Sequence, residues 1–410
     1  MPMKDNRVAE LTAWLMQSGI EGMPEADLLA GFCVRCAASG VPVERASAVI
    51  EALHPMYERR AFRWDANQAI ERLSEFGLGT GGSLAINWER TAFFYLRTTG
   101  DLEVRRRFCH GDAGDFYLLD SMKADGFTDF VALAHRFGDN GTIGEIDCFF
   151  SQFATRAPGG FSKADLNALK ALAPCLALAT KCVAISGVAR TIAKVYLGED
   201  AARHVLLGQM RRDKTDQIAA ALWFSDLANF TRISDLSDPQ EIIPMLNDYA
   251  EAVISSVNAA GGEVLKLMGD GTLAIFRGAT AQEACAAALH GRGLLDKKLV
   301  DLNARRRIEG RAVTEVYLAL HFGDVFYGNI GGRERLDFTV IGPTVNEVSR
   351  IASLCRSLER DLLISSTFAS ALEADNGGCL LSVGAHTLRG VSRAQELFTI
   401  ERRVDVDASQ

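Results

Sequence analysis

Two aspartates sit at the ends of apolar runs. Asp226 follows ALWFS and precedes LANFT, and Asp270 lies in a GDG turn between EVLKLM and TLAIF. Carboxylates converging from neighbouring strand ends make the oxygen-rich, negatively charged site that magnesium favours beside phosphate-bearing substrates. The loop after such a strand also offers backbone N–H groups to phosphate oxygens, which makes Phe230 and Thr231 candidate substrate contacts. An aspartate beside glycine is equally an ordinary turn residue, so neither aspartate decides the matter alone.

A second group of residues has the chemistry of base and ribose recognition. Lys266 stands four residues before Asp270, a span of about 13 Å along an extended strand. Its ammonium donates and never accepts, so it suits the unprotonated N1 of adenine and mismatches the protonated N1 of guanine. Thr339, in LDFTVIG, could hydrogen-bond an exocyclic base group. Asn346 and Arg350 are spaced i, i+4 in PTVNEVSRIA and project from one helical face. Such a pair could hold a ribose oxygen and a charged phosphoryl group together. Each has a plain alternative: an edge-strand lysine, a strand threonine, a polar helix face.

The elements that must position these residues alternate. From Ile218 the pattern predicts strand AALWF, helix PQEIIPMLNDYAEAVISSVNAAG, strands EVLKLMG and TLAIF, and helix AQEACAAALHGRGLLDKKLVDLN. Strands VYLALHFGDVFYGNI and LDFTVIG and helix TVNEVSRIASLC follow. Alternation with two direct strand–strand joins predicts an α+β fold, a ferredoxin-like α/β sandwich. Asp238, Pro239 and Glu241 supply an N-cap, a first-turn proline and a capping-box acid for the first helix.

Taken together, WFSDLANFT, LKLMGDGTLAIF, LHFGDVFYGNIGG and DFTVIGPTVNEVSRIA resemble the class III nucleotidyl cyclase catalytic domain, in its order and spacing. The resemblance implies that Asp226 and Asp270 bind two Mg²⁺ ions per site (Mn²⁺ as an alternative) and that Lys266 with Thr339 selects adenine. It also implies that Asn346 and Arg350 stabilise the transition state. Many relatives carry aspartate where Thr339 stands and a bacterial-type branch carries threonine, so selectivity for ATP leans on Lys266. The implied reaction is ATP to 3′,5′-cyclic AMP and pyrophosphate. In the family the acids come from one subunit and the other four residues from its partner, which implies a homodimer with composite active sites. Arg389 or Arg393 is a further candidate for phosphate contact. His321 is expected to pack at a strand turn. The rival readings are a guanylyl cyclase and a non-catalytic nucleotide-binding regulator; a diguanylate cyclase is disfavoured because no GGDEF-like segment occurs.

The N-terminal half reads differently. Helical periodicity appears in Val8–Met16, Ala26–Cys36 and Val43–Leu53. From Ala61, SLAINW, TAFFYLRTT, DFVALAHRF and TIGEIDCFF read as strands, closed by a helix that Ser162 and Asp165 cap. Strands ending in such a helix resemble GAF and PAS small-molecule sensor domains, which implies a small-molecule ligand. The aromatic cluster Phe93, Phe94 and Tyr95 would fill its core or line its pocket. The expected organisation is a helical segment over 1–60, a GAF-like sensor over 61–186, a connector over 187–216 and a cyclase domain over 217–404. The connector could carry strain between domains or be a passive tether.

The chain has 410 residues and a net charge of −8, with 48% hydrophobic and 23% charged residues. That balance predicts buried cores in more than one domain and disfavours a general nucleic-acid or anionic-membrane binder. The first residues contain no apolar stretch of signal-peptide length, and the nine scattered cysteines form no disulfide framework. A cytoplasmic location without membrane attachment is expected. Cys33 and Cys36, though spaced like a metal or redox pair, stand without a second pair and are expected to be structural. The RRR runs at 105–107 and 305–307 are expected to be solvated.

Overall fold

The computed structural model describes residues 5–77, 88–112, 114–138, 142–209, 215–372, 380–391 and 394–400. The chain divides into two compact units, Met1–Ile192 and Ala193–Gln410.

In the first unit, helices α1 (Asp5–Ile20) and α2 (Glu25–Ala38) precede strands β1 (Arg45–Glu51), β2 (Tyr57–Asp65) and β3 (Leu73–Gly77). Helix α3 (Ala92–Thr99), β4 (Glu103–Arg106), α4 (Leu119–Ala124), β5 (Asp129–Arg136), β6 (Cys148–Thr155) and α5 (Lys163–Leu197) follow. The strands form one sheet in the order β3-β2-β1-β6-β5-β4, antiparallel throughout. One face buries Phe62, Val131, Phe149 and Phe153 in the same cluster as Leu15, Phe32 and Leu169 of α1, α2 and α5. The other buries Val49, Phe130 and Phe150 with Phe93 and Leu96 of α3 and Leu119 and Met122 of α4. Each such side chain contributes about 1.5–3 kcal/mol. Ser162 and Asp165 form a reciprocal capping box at the start of α5: the Asp165 N–H donates to Ser162 Oγ at 3.2 Å and the Ser162 N–H to Asp165 Oδ2 at 2.8 Å.

Three expectations for this unit are corrected. Val43–Leu53 is not helical; it contains β1, whose burial on both faces erases the alternation that separates strand from helix in a short apolar run. TAFFYLRTT is helix α3 and not a strand: Thr91 Oγ1 accepts from the Phe94 N–H, and Gly100 ends the helix at φ +84°. The division at 60/61 falls inside β2 and that at 186/187 inside α5, so the N-terminal helices and the sheet belong to a single unit. SLAINW lies outside the described residues except for Trp88, as do Arg211, Arg212 and Lys214 of the connector. Helix α5 is long and apolar enough to cross a membrane by composition, but Leu166, Leu169, Leu172 and Leu176 are buried in the sheet core. Cys33 and Cys36 are buried free thiols in the same core.

The second unit begins with α6 (Glu199–Leu206), β7 (Thr215–Leu227), α7 (Phe230–Leu236) and α8 (Pro239–Ala259). Strands β8 (Glu263–Met268) and β9 (Gly271–Phe276) and helix α9 (Ala281–Ile308) lead to β10 (Val316–Gly331) and β11 (Leu336–Ile341). Helix α10 (Pro343–Leu354), β12 (Leu362–Ser365), α11 (Ser366–Leu372), β13 (Leu380–His386) and β14 (Gln395–Ile400) complete it. The sheet runs β13-β14-β12-β10-β7-β9-β8, with β11 on the far end of β10. Because the sheet is covered on both faces, ALWF reads as a continuous apolar run. Trp223, Phe276, Leu318 and Ile364 pack with α8, α9 and α11. Leu222, Leu273, Ile275 and Ala319 face the other way, with Val348 and Ile351 of α10.

Two further expectations are corrected here. His321 lies mid-strand opposite Leu222, 4% exposed, and not at a turn. The RRR runs are largely paired. Arg105 and Arg106 bind Asp129 and Asp115. Arg306, 1% exposed, pairs with Asp248, because it falls one helical turn after the buried Leu302.

Candidate active site

The strand register fixes where the acids go. Ser225 pairs with Thr272, and β8 and β9 close through Met268 and Gly271 with Gly269 and Asp270 as the turn. Gly269 takes φ +65°, which such a tight turn requires. Asp226, at the end of β7, therefore meets the tip of the neighbouring hairpin. The two carboxyls are in hydrogen-bond contact, and Asp226 also accepts from the Leu227 N–H at 3.1 Å. Burial, contact with Asp270 and the like charge of Asp270 together raise the Asp226 pKa to about 7. Two carboxyls in contact suit a divalent cation, whose charge would offset the repulsion between them. Among the described residues no group of three or more His, Cys, Asp or Glu side chains gathers as a metal site, so this pair would rely on backbone, water or substrate oxygens to complete a metal's shell.

Lys266 shares a sheet face with Asp226. It pairs with Leu273, which pairs with Phe224, and Asp226 is the next residue on that face of β7. Its ammonium forms an ion pair with Asp337 of β11. Thr339 is two residues further along β11, opposite Gly328. The structure thus brings Lys266 to the strand that carries Thr339, with Asp337 as its direct partner.

Asn346 and Arg350 lie on α10 away from the buried Thr344, Val348, Ile351 and Ala352. The Asn346 carbonyl accepts from Ser349 Oγ at 3.0 Å. Arg350 makes no hydrogen bond or ion pair among the described residues. Its guanidinium lies over Gly390, where a Cβ would come within 3.5 Å of it. Arg389 is adjacent and exposed, whereas Arg393 lies outside the described residues. Phe230 packs its ring against the core and Thr231 is exposed at the start of α7, so at Phe230 the backbone is what remains for a substrate. A cleft of about 200 Å³ beside the acids is lined by Leu246, Asn247 and Val253 of α8 among others. None of Lys266, Thr339, Asn346 or Arg350 lines it. One chain gathers the acids, and it holds the remaining four residues elsewhere.

Two supporting groups escaped the sequence reading. Asp337 sits inside DFTVIG, and its i, i+2 spacing from Thr339 was the available signal. Glu347, between Asn346 and Arg350, faces buried His321 (Nε2 to Oε2, 3.2 Å) and accepts from Gln395 Nε2 at 2.8 Å. His321 Nδ1 lies 2.7 Å from Ser365 Oγ. Burial lowers the His321 pKa against the opposing pull of Glu347. This buried set anchors the helix that presents Asn346 and Arg350.

Fold and motifs define a class, and the comparison with known families agrees: residues 211–401 match the adenylate and guanylate cyclase catalytic domain. That part of the chain is a class III cyclase domain. Among curated proteins it is similar to an adenylate cyclase of Anabaena cylindrica, 32% identical over 35% of this chain and 29% of that protein. It is also similar to adenylate cyclase 1 of Rhizobium meliloti, 29% identical over 43% of this chain and 26% of that protein. The chain thus spans under a third of either relative. Among solved structures, adenylyl cyclase CyaB from P. aeruginosa is 25% identical, with 46% of this chain and 98% of that one covered and a TM-score of 0.42.

Proposed function

We propose that the protein is an adenylyl cyclase that converts ATP to 3′,5′-cyclic AMP and pyrophosphate in a homodimer with two composite sites, under the control of its N-terminal unit. The observation that carries this reading is the contact between Asp226 and Asp270 on the sheet face that also presents Lys266. Asp226 and Asp270 would hold two magnesium ions. When bound, these supply charge neutralisation along the triphosphate and a lowered pKa for the ribose 3′-hydroxyl.

The chain's own residues account for the rest. Lys266 donates to the adenine ring nitrogen, held in place by Asp337, and Thr339 reaches the exocyclic amine. Asn346 orients the ribose so that the 3′-oxygen stands in line with the α-phosphorus and the departing pyrophosphate. Arg350, free of any carboxylate among the described residues, neutralises charge that builds on the α-phosphoryl oxygens. That the Anabaena and Rhizobium relatives are named adenylate cyclases supports ATP as the substrate here.

The test is direct. Purified protein is incubated with ATP or GTP and Mg²⁺ or Mn²⁺, and the products are separated by chromatography. Cyclic AMP from ATP, lost in Asp270→Ala, supports the reading. Cyclic GMP as the dominant product would replace it with a guanylyl cyclase, and binding without turnover with a nucleotide-responsive regulator.

A further inference from the structure

The N-terminal unit encloses a cavity of about 700 Å³ between its sheet and helices α3 and α4, within the range of small-molecule sites. Its walls are aromatic: Trp88, Phe93, Phe116 and Phe130 all line it. Its floor is not uniformly apolar. Ser47 pairs with Arg63 of β2 on one side and with Gln152 of β6 on the other, and all three line the cavity. Cross-strand partners share a face, so three polar side chains form one row across a sheet face whose next row is Ala61, Val49 and Phe150.

That row is only partly satisfied. Among the described residues the Ser47 hydroxyl and the Gln152 amide make no side-chain hydrogen bond. Arg63 donates to Ser74 Oγ at 2.6 Å and, among the described residues, has no carboxylate within ion-pair distance. The other cationic side chains lining the cavity are engaged. Arg45 pairs with Asp65 at 2.6 Å. Arg59 lies 3.4 Å from Glu58 and 4.5 Å over the Trp88 ring. The lining carboxylates Glu58 and Glu75 lie 3.4 and 3.5 Å from Arg59 and Arg60. A guanidinium held only by a hydroxyl, beside an amide and a second hydroxyl, thus suits a single anionic group, whereas a polyphosphate would need more cations. A neutral hydrocarbon would leave the hydroxyl and the amide unpaired and the guanidinium without a counter-charge, at an unfavourable cost. The aromatic walls favour a flat ring system.

We propose that this cavity binds a planar aromatic carboxylate, its carboxylate on Arg63 and the Ser47–Gln152 pair and its rings between Trp88 and the phenylalanines. This deepens the reading of the N-terminal unit as a sensor, and it stands apart from the catalytic reading because its test measures binding without turnover.

The probe is 2-naphthoate, titrated into the full-length protein by calorimetry, with 2-naphthamide as the uncharged control. Saturable binding of 2-naphthoate, with the amide about tenfold weaker or worse, is the expected result. Arg63→Met should weaken the acid by a similar factor without changing the amide. Gln152→Leu, remote from the Ser74 contact, provides a second variant, and melting curves establish that each is folded. The proposal is overturned if 2-naphthoate gives no binding, or if the amide binds as well as the acid. It is equally overturned if folded Arg63→Met and Gln152→Leu both bind the acid like wild type.

Discussion

If each active site takes its acids from one protomer and Lys266, Thr339, Asn346 and Arg350 from the partner, two dead variants should revive each other. Asp270→Ala leaves Asp226 without its companion. Arg350→Ala removes a guanidinium that no carboxylate occupies among the described residues. Either change should remove about 3–4 kcal/mol of transition-state stabilisation, a hundredfold or more in rate. Random exchange of equal amounts yields about half mixed dimers, each with one intact site and one doubly broken site. The mixture should therefore regain about a quarter of wild-type activity per protomer, falling to about 9% at a nine-to-one ratio. Cyclic AMP formation measured after mixing, alongside exchange followed by two affinity tags, decides it. Proven exchange with activity still at the single-variant level would refute the shared site. The dependence on mixing ratio guards against contamination by wild type, which would scale with one component alone.

Other consequences are simpler to check. Lys266→Glu would set a carboxylate against Asp337, so it should be made with Asp337→Asn and Thr339→Ser; the triple variant should shift the GTP-to-ATP ratio of kcat/KM by about a hundredfold or more, and an unchanged ratio would remove Lys266 and Thr339 from base recognition. Magnesium or manganese at a hundred times its Kd should stabilise the wild type by about 2.7 kcal/mol, read as a higher Tm, and should not stabilise Asp270→Asn. Asp200 is a pH case. Burial pushes its carboxyl up, but Tyr327, Arg203 and Arg277 override this and hold it at about 2. A pKa depressed by folding stabilises above the unfolded value near 3.9 and is lost as pH falls toward the folded one. The Tm gap between wild type and Asp200→Asn should thus be widest near neutrality and narrow from about pH 5 toward pH 3.

What could be read from the sequence follows from how far apart the determining interactions lie. The catalytic strands and helices were legible because caps such as Asp238 and turns such as Gly269-Asp270 are local. The side-chain capping there is only half made: Asp238 Oδ1 accepts from the Gln240 N–H, but Glu241 is drawn to Arg311 seventy residues away. No window of sequence reveals such a competitor. β1 was misread because residues buried on both faces lose their period, and α3 because FFY has strand-like composition while Thr91 and Gly100 carried the helical information. The acid pair was legible as two motifs, but the contact that sets the Asp226 pKa depends on the β7–β9 register. Arg306 looked like surface charge because its partner, Asp248, lies on another helix.

The stretch that joins the two halves is built into the catalytic unit. Asp200 of α6 accepts from the Tyr327 hydroxyl at 2.6 Å and lies 3.2 Å from Arg277. Arg277 also reaches Glu263 at 3.5 Å, and Glu263 lies 3.4 Å from the same hydroxyl. Burial and the two carboxylates keep Tyr327 protonated, so it remains a donor. Glu263 opens β8 three residues before Lys266, and Tyr327 stands opposite Val340, next to Thr339. One cluster therefore ties α6 to β8, which carries Lys266, and to β10, which pairs with the strand of Thr339. A displacement of α6 that broke the Tyr327–Asp200 bond would leave the hydroxyl only its longer contact with Glu263, a loss of about 1 kcal/mol. A loss of that size changes the balance of two arrangements by about fivefold.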